Sequence, residues 1–174
     1  MKIENEVKYQ IKNISKIKKN LLSLDFHLIK NIFQEDYYFS PPHKNFDGTK
    51  KYYLRLRRND GKGIFAYHVV RNNLQTKEWE VKVDNFNMLL IILKFLDFKI
   101  DSIVKKNRLI YKRGNIKIMI DTVKRLGNFI EIEYCGKFTK EVQKKFISLI
   151  NSLELKEKDL IHGLGYPDLL IKKI

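Results

Sequence analysis

The stretch NIKIMIDTVKRLGNFIEIEYC, residues 115–135, decides how this chain folds. Two runs that alternate in steps of two flank the turn signal KRLGN. Successive side chains of an extended strand point to opposite faces. Ile116, Ile118 and Ile120 therefore share one face, and Lys117, Met119 and Asp121 the other. Beyond the turn, Ile130, Ile132 and Tyr134 oppose Glu131 and Glu133. The reading predicts two antiparallel strands, 115–123 and 128–135, each half apolar and half polar or charged.

The pattern recurs along the chain. Residues 3–12 put Glu4, Glu6 and Lys8 together, against Ile3, Val7 and Tyr9. Residues 51–59 oppose Arg55 and Arg57 to Leu54 and Leu56. Residues 76–84 oppose Glu78, Glu80 and Lys82 to Trp79, Val81 and Val83. Residues 103–113 bring Lys106 and Arg108 to one face, against Asn107 and Leu109. Residues 64–71 read as a further strand, and 26–40 as one or two. Helices are expected at about 15–24 from a Ser15 cap, from an Asp84 or Asn85 cap to about Leu96, and over 139–154. PPHKNFDGTK (41–50) reads as loop, DGKG (60–63) as a tight turn, and 157–170 as a short helical or irregular tail. The apolar run MLLIILKFL (88–96), broken by Lys94, reads as a buried helix and is far too short to cross a membrane.

An antiparallel sheet with one wet face shows the same alternation. The residue types argue for another arrangement. Solvated strand faces mix Thr, Ser, Lys, Gln and Glu, whereas here Glu-x-Glu stands on three strands and Arg-x-Arg or Lys-x-Arg on two more. In a closed barrel the apolar faces can pack outward under helices while the charged faces line the lumen. Charges there need partners. Carboxylates hold hard divalent cations, and Arg and Lys hold phosphate oxygens. A metal-bound triphosphate answers both.

The 174 residues suit one domain, 1–174, with no repeat or linker, and a hydrophobic share of 44% argues for a globular fold over disorder. A net charge of +15 invites polyanions. The chain is also rich in Lys, Asn and Ile, a bias that raises the charge by itself, so general nucleic-acid binding ranks lowest among the readings. The single cysteine, Cys135, excludes an internal disulfide framework and a cysteine-cluster metal site. No apolar signal core precedes the first charged strand, so a cytoplasmic protein without membrane attachment is expected.

In register along the chain, these motifs resemble the CYTH superfamily. Glu4-x-Glu6-x-Lys8 is similar to its N-terminal signature, YLRLRR (53–58) to its Leu-Arg-x-Arg strand, and KEWEVKVDN (77–85) to its central Glu-x-Glu strand. VKKNRLIY (104–111) resembles the Lys-x-Arg-x-x-Tyr strand, and IMIDTVKRLGNFIEIE (118–133) the Asp-x-Val-x-x-Leu-Gly-x-Phe-x-Glu-x-Glu block. QEDYYFSPPHKNF (34–46) and GYPDLL (165–170) look most like the class IV adenylyl cyclase branch.

The resemblance implies an α+β fold: a closed eight-stranded antiparallel β-barrel, the triphosphate tunnel, with helices packed outside. It implies Mg²⁺ or Mn²⁺ and a triphosphate substrate, ATP or an inorganic or organic triphosphate, in a monomer or homodimer. By matched position, Glu4, Glu6, Glu131 and Glu133 resemble the metal carboxylates, and Lys8, Arg55, Arg57, Lys106 and Arg108 the phosphate set. Glu78, Glu80 and Asp121 add to the metal or orient basic groups. His68, Lys82 and Lys124 are candidates without an assigned role. Two positions depart from the pattern. His68 stands where the family commonly has Lys, either charged by a bound triphosphate or merely packed in the wall. Asn45 stands where the cyclase branch often has Asp.

The leading expectation is an enzyme of the class IV adenylyl cyclase kind, converting ATP to cyclic AMP and pyrophosphate. The alternatives are a triphosphatase acting on tripolyphosphate, thiamine triphosphate or nucleoside triphosphates, and a non-catalytic triphosphate- or polyphosphate-binding module.

Overall fold

The computed structural model describes residues 2–42, 52–59, 62–71, 75–136 and 139–172. In chain order they form β1 (Lys2–Ile11), α1 (Ile14–Ser23), β2 (His27–Ser40), β3 (Tyr52–Asn59), β4 (Lys62–Val70) and β5 (Gln75–Val83). There follow α2 (Phe86–Phe95), β6 (Lys99–Arg113), β7 (Ile116–Val123), β8 (Gly127–Tyr134) and α3 (Lys140–Ser152). A 3₁₀ turn (Glu157–Asp159), the two-residue β9 (Leu160–Ile161) and α4 (Tyr166–Lys172) complete the order.

The strands lie in the order β5-β4-β3-β2-β6-β7-β8-β1, and β1 pairs back onto β5. Every pairing is antiparallel, so eight strands close into a barrel, as the alternation required. The closing seam is short: Lys2–Asn5 against Gln75–Glu78. β9 adds to β1 at Lys8 and Tyr9. In the β7–β8 hairpin Ile118 opposes Ile132, Met119 opposes Glu131, and Lys117 opposes Glu133. Both strands thus turn isoleucine to one side and charge to the other.

The isoleucine side is outside. Val7, Tyr9, Ile11, Ile118, Ile120, Ile130 and Ile132 form a core with Ile17 and Leu21 of α1 and Phe146 and Leu149 of α3. A second cluster joins Phe39 and Leu56 to Phe86 and Leu93 of α2. A third lies around α4, where Tyr166 and Leu170 pack with Val104, Val123 and Phe129. Those three strand residues share the inward parity of Lys106, Asp121 and Glu131, so the lumen turns apolar at this end beneath α4.

Side-chain oxygens start three helices. Asn13 Oδ1 accepts from the Lys16 N–H at 2.9 Å, so the α1 cap is Asn13, with Ser15 already inside the helix. Asn85 Oδ1 accepts from Met88 N–H at 2.9 Å, and Thr139 Oγ1 from Val142 N–H at 3.3 Å. Each satisfies an amide the helix leaves open. Residues 26–40 give one long strand, and the 103–113 strand starts earlier, at Lys99. Residues 43–50, Asn45 included, and Asp60 and Gly61 lie outside the described residues.

One expectation fails. The apolar run at 88–96 is not a buried helix. Of α2 only Phe86 and Leu93 are buried, and Phe95 is 85% exposed. A lone helix laid on a barrel has one face to bury, and α2 is apolar on both. Among the described residues no helix is long and apolar enough to cross a membrane.

Candidate active site

The charged faces meet inside the barrel around a cavity of about 350 Å³, the size of a small-ligand site. β1 contributes Glu4, Glu6 and Lys8 to its wall, and β3 contributes Arg55 and Arg57. His68 of β4 and Glu78 and Glu80 of β5 border it, as do Lys106 and Arg108 of β6 and Glu131 and Glu133 of β8. Asp121 of β7 is fully buried against Arg108. Lys82 and Lys124 are exposed and do not border the cavity.

Cross-strand register builds a ladder of alternating charge. Asp36 pairs with Arg57, Arg108 with Asp121, and Lys8 with Glu131. Arg57 donates Nε to Asp36 Oδ1 at 2.6 Å and Nη2 to Oδ2 at 2.8 Å. Lys106 Nζ lies 3.6 Å from both Asp36 Oδ2 and Asp121 Oδ2. Arg108 donates Nε to Asp121 Oδ1 at 2.7 Å and Nη2 to both Asp121 and Glu131. Lys8 Nζ stands 3.2 Å from Glu131 Oε1. The run Arg57–Asp36–Lys106–Asp121–Arg108–Glu131–Lys8 thus crosses six strands. Two shorter groups flank it. Arg55 is shared between Glu78 at 3.0 Å and Glu80 at 3.4 Å, and Lys117 donates to Glu133 at 2.8 Å.

Burial makes this pairing obligatory, since an unpaired charge in such a wall is costly. It also sorts the protons. Against the cost of burial, Arg57 and Lys106 hold Asp36 well below the usual carboxylate range. Arg108 and Lys8 do the same for Glu131. Burial, with the charge of Glu131, pushes Glu6 up to about 7. Burial, helped by Glu4 and Glu80, pushes Glu78 up to about 8 despite Arg55. Burial and the charge of Arg108 bring Lys106 down to about 8. His68 Nε2 lies 3.0 Å from Glu78 Oε1. Burial, then Arg55 and Arg57, drive His68 down to about 2, so its imidazole is neutral. The tunnel wall therefore gains no cation from His68.

Four residues of this wall carried no role in the sequence reading. Asp36 and Lys117 belong to the ion pairs just described. Tyr166 donates its hydroxyl to Asp121 at 2.8 Å, and its ring centroid lies 4.3 Å from Lys8 Nζ and 4.9 Å from Lys106 Nζ. Tyr53 donates its hydroxyl to Asp168 Oδ2, which also accepts the Gly165 N–H at 2.6 Å. α4 is thereby latched to β3 at one end of the lumen. The signal for Asp36 was its parity with Ile32, Gln34, Tyr38 and Ser40; a single acid in a mixed strand did not repeat the charge-x-charge spacing.

Among the described residues no three His, Cys, Asp or Glu side chains converge into a metal cage as they stand, since Glu131 and Glu133 face Lys8, Arg108 and Lys117. The donor chemistry nevertheless fits a hard divalent cation. Glu6 opposes Glu133 across the β1–β8 pair, and it is crowded by the charges of Glu131 and Glu4. Such an all-carboxylate set suits Mg²⁺ or Mn²⁺.

Comparison with known proteins agrees with this architecture. A family model described as the CYTH domain matches residues 2–164. A Methanocaldococcus jannaschii protein, provisionally named an adenylate cyclase, is 32% identical over 165 residues, covering 91% of this chain and 94% of its own. The PH1012 protein of Pyrococcus horikoshii has a solved structure with a TM-score of 0.83 at 29% identity, covering 95% of this chain and 98% of that one. A Hippeastrum protein, named for adenylyl cyclase and described as having a dominant triphosphatase activity, shares the fold with a TM-score of 0.63 at 15% identity over 89% of each chain. The chain belongs to the CYTH domain family.

Proposed function

We propose that this chain is a metal-dependent enzyme of the class IV adenylyl cyclase kind, which takes ATP into the tunnel and forms cyclic AMP and pyrophosphate. The ladder from Arg57 to Lys8 carries the reading: four cations spaced along one wall suit the oxygens of a polyphosphate chain. The name of the Methanocaldococcus relative supports the cyclase branch.

Arg55, Arg57, Lys106, Arg108 and Lys8 hold the phosphate chain and offset the charge that builds on it. The ribose 3′-oxygen attacks the α-phosphorus. A new phosphorus–oxygen bond forms as the bond to the α,β-bridging oxygen breaks, the hydroxyl proton passes to solvent water, and pyrophosphate leaves with the electron pair. Glu4, Glu6, Glu131 and Glu133 would hold Mg²⁺ or Mn²⁺, which when bound polarises phosphoryl oxygens and neutralises their charge. The Tyr166 ring lies close to both the Lys8 and Lys106 ammonium groups and helps position them.

A second reading, hydrolysis of a triphosphate, is favoured by one observation. The ladder is made of groups that grip phosphate, and such a grip serves tripolyphosphate as well as ATP. The Hippeastrum neighbour of the same fold is described as having a dominant triphosphatase activity. Incubation with Mg-ATP, Mn-ATP or tripolyphosphate, followed by product analysis, separates them. Cyclic AMP with pyrophosphate supports the cyclase; ADP with phosphate, or breakdown of tripolyphosphate, supports the phosphatase. Tight calorimetric binding without turnover, with both metals and across pH, would leave only a binding module.

A further inference from the structure

On the triphosphate reading of the tunnel, we propose that its end away from α4 is a nucleobase subsite, where Gln34 and Asn59 accept the exocyclic amino group of adenine. Gln34 and Asn59 are cross-strand neighbours on β2 and β3, and both border the cavity. Gln34 is 3% exposed, yet its Oε1 meets no hydrogen-bond donor among the described residues. The buried Oδ1 of Asn59 meets none either. Buried amide oxygens are ordinarily paired, and leaving one unpaired costs stability. Two of them side by side in a cavity wall point to a ligand that brings the donors.

The neighbouring cations are committed elsewhere. Arg57, two residues before Asn59 on β3, directs both Nε and Nη2 at Asp36. Lys106, opposite Gln34 in the β2–β6 pair, lies between Asp36 and Asp121.

Position selects the part of the substrate that supplies the donors. From the α4 latch, the inward residues of β3 run Tyr53, Arg55, Arg57, Asn59, and those of β2 run Tyr38, Asp36, Gln34. The two amides thus lie one inward step beyond the rung of Arg57 and Asp36, ~7 Å further along the strands. The α4 end is packed with Val104, Val123, Phe129 and Tyr166. A substrate with its phosphates on the ladder therefore has its organic part at the amide end. There Ile32, Ile110 and Met119 also line the cavity, Ile110 and Met119 facing each other across β6 and β7. Apolar side chains suit the face of an aromatic ring, and a few placed acceptors fix its polar edge. Inorganic tripolyphosphate would leave both oxygens unpaired.

Calorimetric binding of ATP, purine riboside triphosphate and tripolyphosphate to the full chain, with Ca²⁺ as a hard cation for the carboxylates, tests the subsite. Purine riboside triphosphate has hydrogen where ATP has the amino group. ATP is expected to bind about tenfold or more tightly than this analogue, which leaves the acceptors unpaired. Gln34→Met and Asn59→Leu are each expected to narrow that ratio by about threefold or more. Asn59 ends its strand and is only half-buried, so its variant carries the test if the buried substitution at Gln34 prevents folding. Equal binding of ATP and the analogue by the unaltered protein would overturn the proposal, as would a ratio indifferent to both substitutions. Tripolyphosphate separates the two readings. If it binds while ATP and its analogue are alike, the phosphate ladder stands and the base subsite falls. A chain that binds none of the three overturns the triphosphate reading and the subsite with it.

Discussion

Arg57 grips Asp36 through two nitrogens, at 2.6 and 2.8 Å, and Asp36 has no exposed surface at all. Asp36 also neutralises Lys106. Removing it strands Arg57 and leaves Lys106 with Asp121 alone. Asp36→Ala is expected to destabilise the fold by about 3–5 kcal/mol, the range for breaking a buried pair. Urea unfolding of both proteins checks this, and a loss under about 1 kcal/mol would show that the ladder is not held by its carboxylates.

His68 stands 3.0 Å from Glu78 and is driven down to about 2 by burial, Arg55 and Arg57. At neutral pH it adds no charge to the tunnel wall. Lysine there would bring an ammonium within reach of Glu78. His68→Lys is therefore expected to raise kcat/KM for the preferred triphosphate at pH 7 by about tenfold. An unchanged or lower rate would mean that the imidazole itself is used.

The raised carboxyls set a pH dependence for the metal-free protein. Glu6 and Glu78 titrate in the fold at about 7 and about 8, above the ordinary 4.5. The folded state keeps those protons while the unfolded chain has lost them, so the stabilisation is complete below 4.5 and disappears as pH rises through 7 to 8. Asp36 and Glu131 are lowered, and their contribution is present above the ordinary range and lost only in strong acid. The melting temperature without metal is expected to fall between about pH 5 and 8, and Glu6→Gln to flatten that fall. A rise over the same interval would falsify the assignment of buried protons to these two acids.

The proposed carboxylate set predicts metal dependence. A chelator is expected to abolish turnover. Glu6→Gln, which leaves the ladder from Arg57 to Lys8 intact, should lower kcat/KM by about a hundredfold or more and weaken Mn²⁺ binding in calorimetry. Turnover undiminished in a chelator would exclude a metal role.

The latch of α4 has its own signature. Tyr53→Phe deletes the hydroxyl that Asp168 accepts and leaves a buried carboxylate with the Gly165 N–H. The loss should be about 1–3 kcal/mol. Hydrogen exchange should quicken in residues 165–172 before the rest of the barrel. Uniform exchange would show that α4 and barrel open as one unit.

The barrel was legible because most wall strands write their two faces in separate residue classes. Glu131 and Glu133 against Ile130 and Ile132 need no tertiary information to be assigned to opposite sides. Closure itself rests on the short Lys2–Asn5 seam, which no local pattern announces. Asp36 escaped because β2 mixes Ile32, Gln34 and Tyr38 on its inner face, so parity was present without repetition. Tyr53 and Tyr166 escaped because a tyrosine serves a core or a polar network equally well, and only its neighbours decide. α2 misled because composition reports what a helix would bury, not how much surface lies opposite to receive it.

For the proposed ligands, the alternation of sign along the ladder would make entry an exchange reaction. A phosphate that takes Lys8 and Arg108 releases Glu131, and a cation that takes Glu131 releases Lys8 and Arg108. Each newcomer thus vacates what the other needs. On the proposed function, substrate and metal affinities would be tied by one shared coupling free energy, equal in both directions, like two keys to one lock.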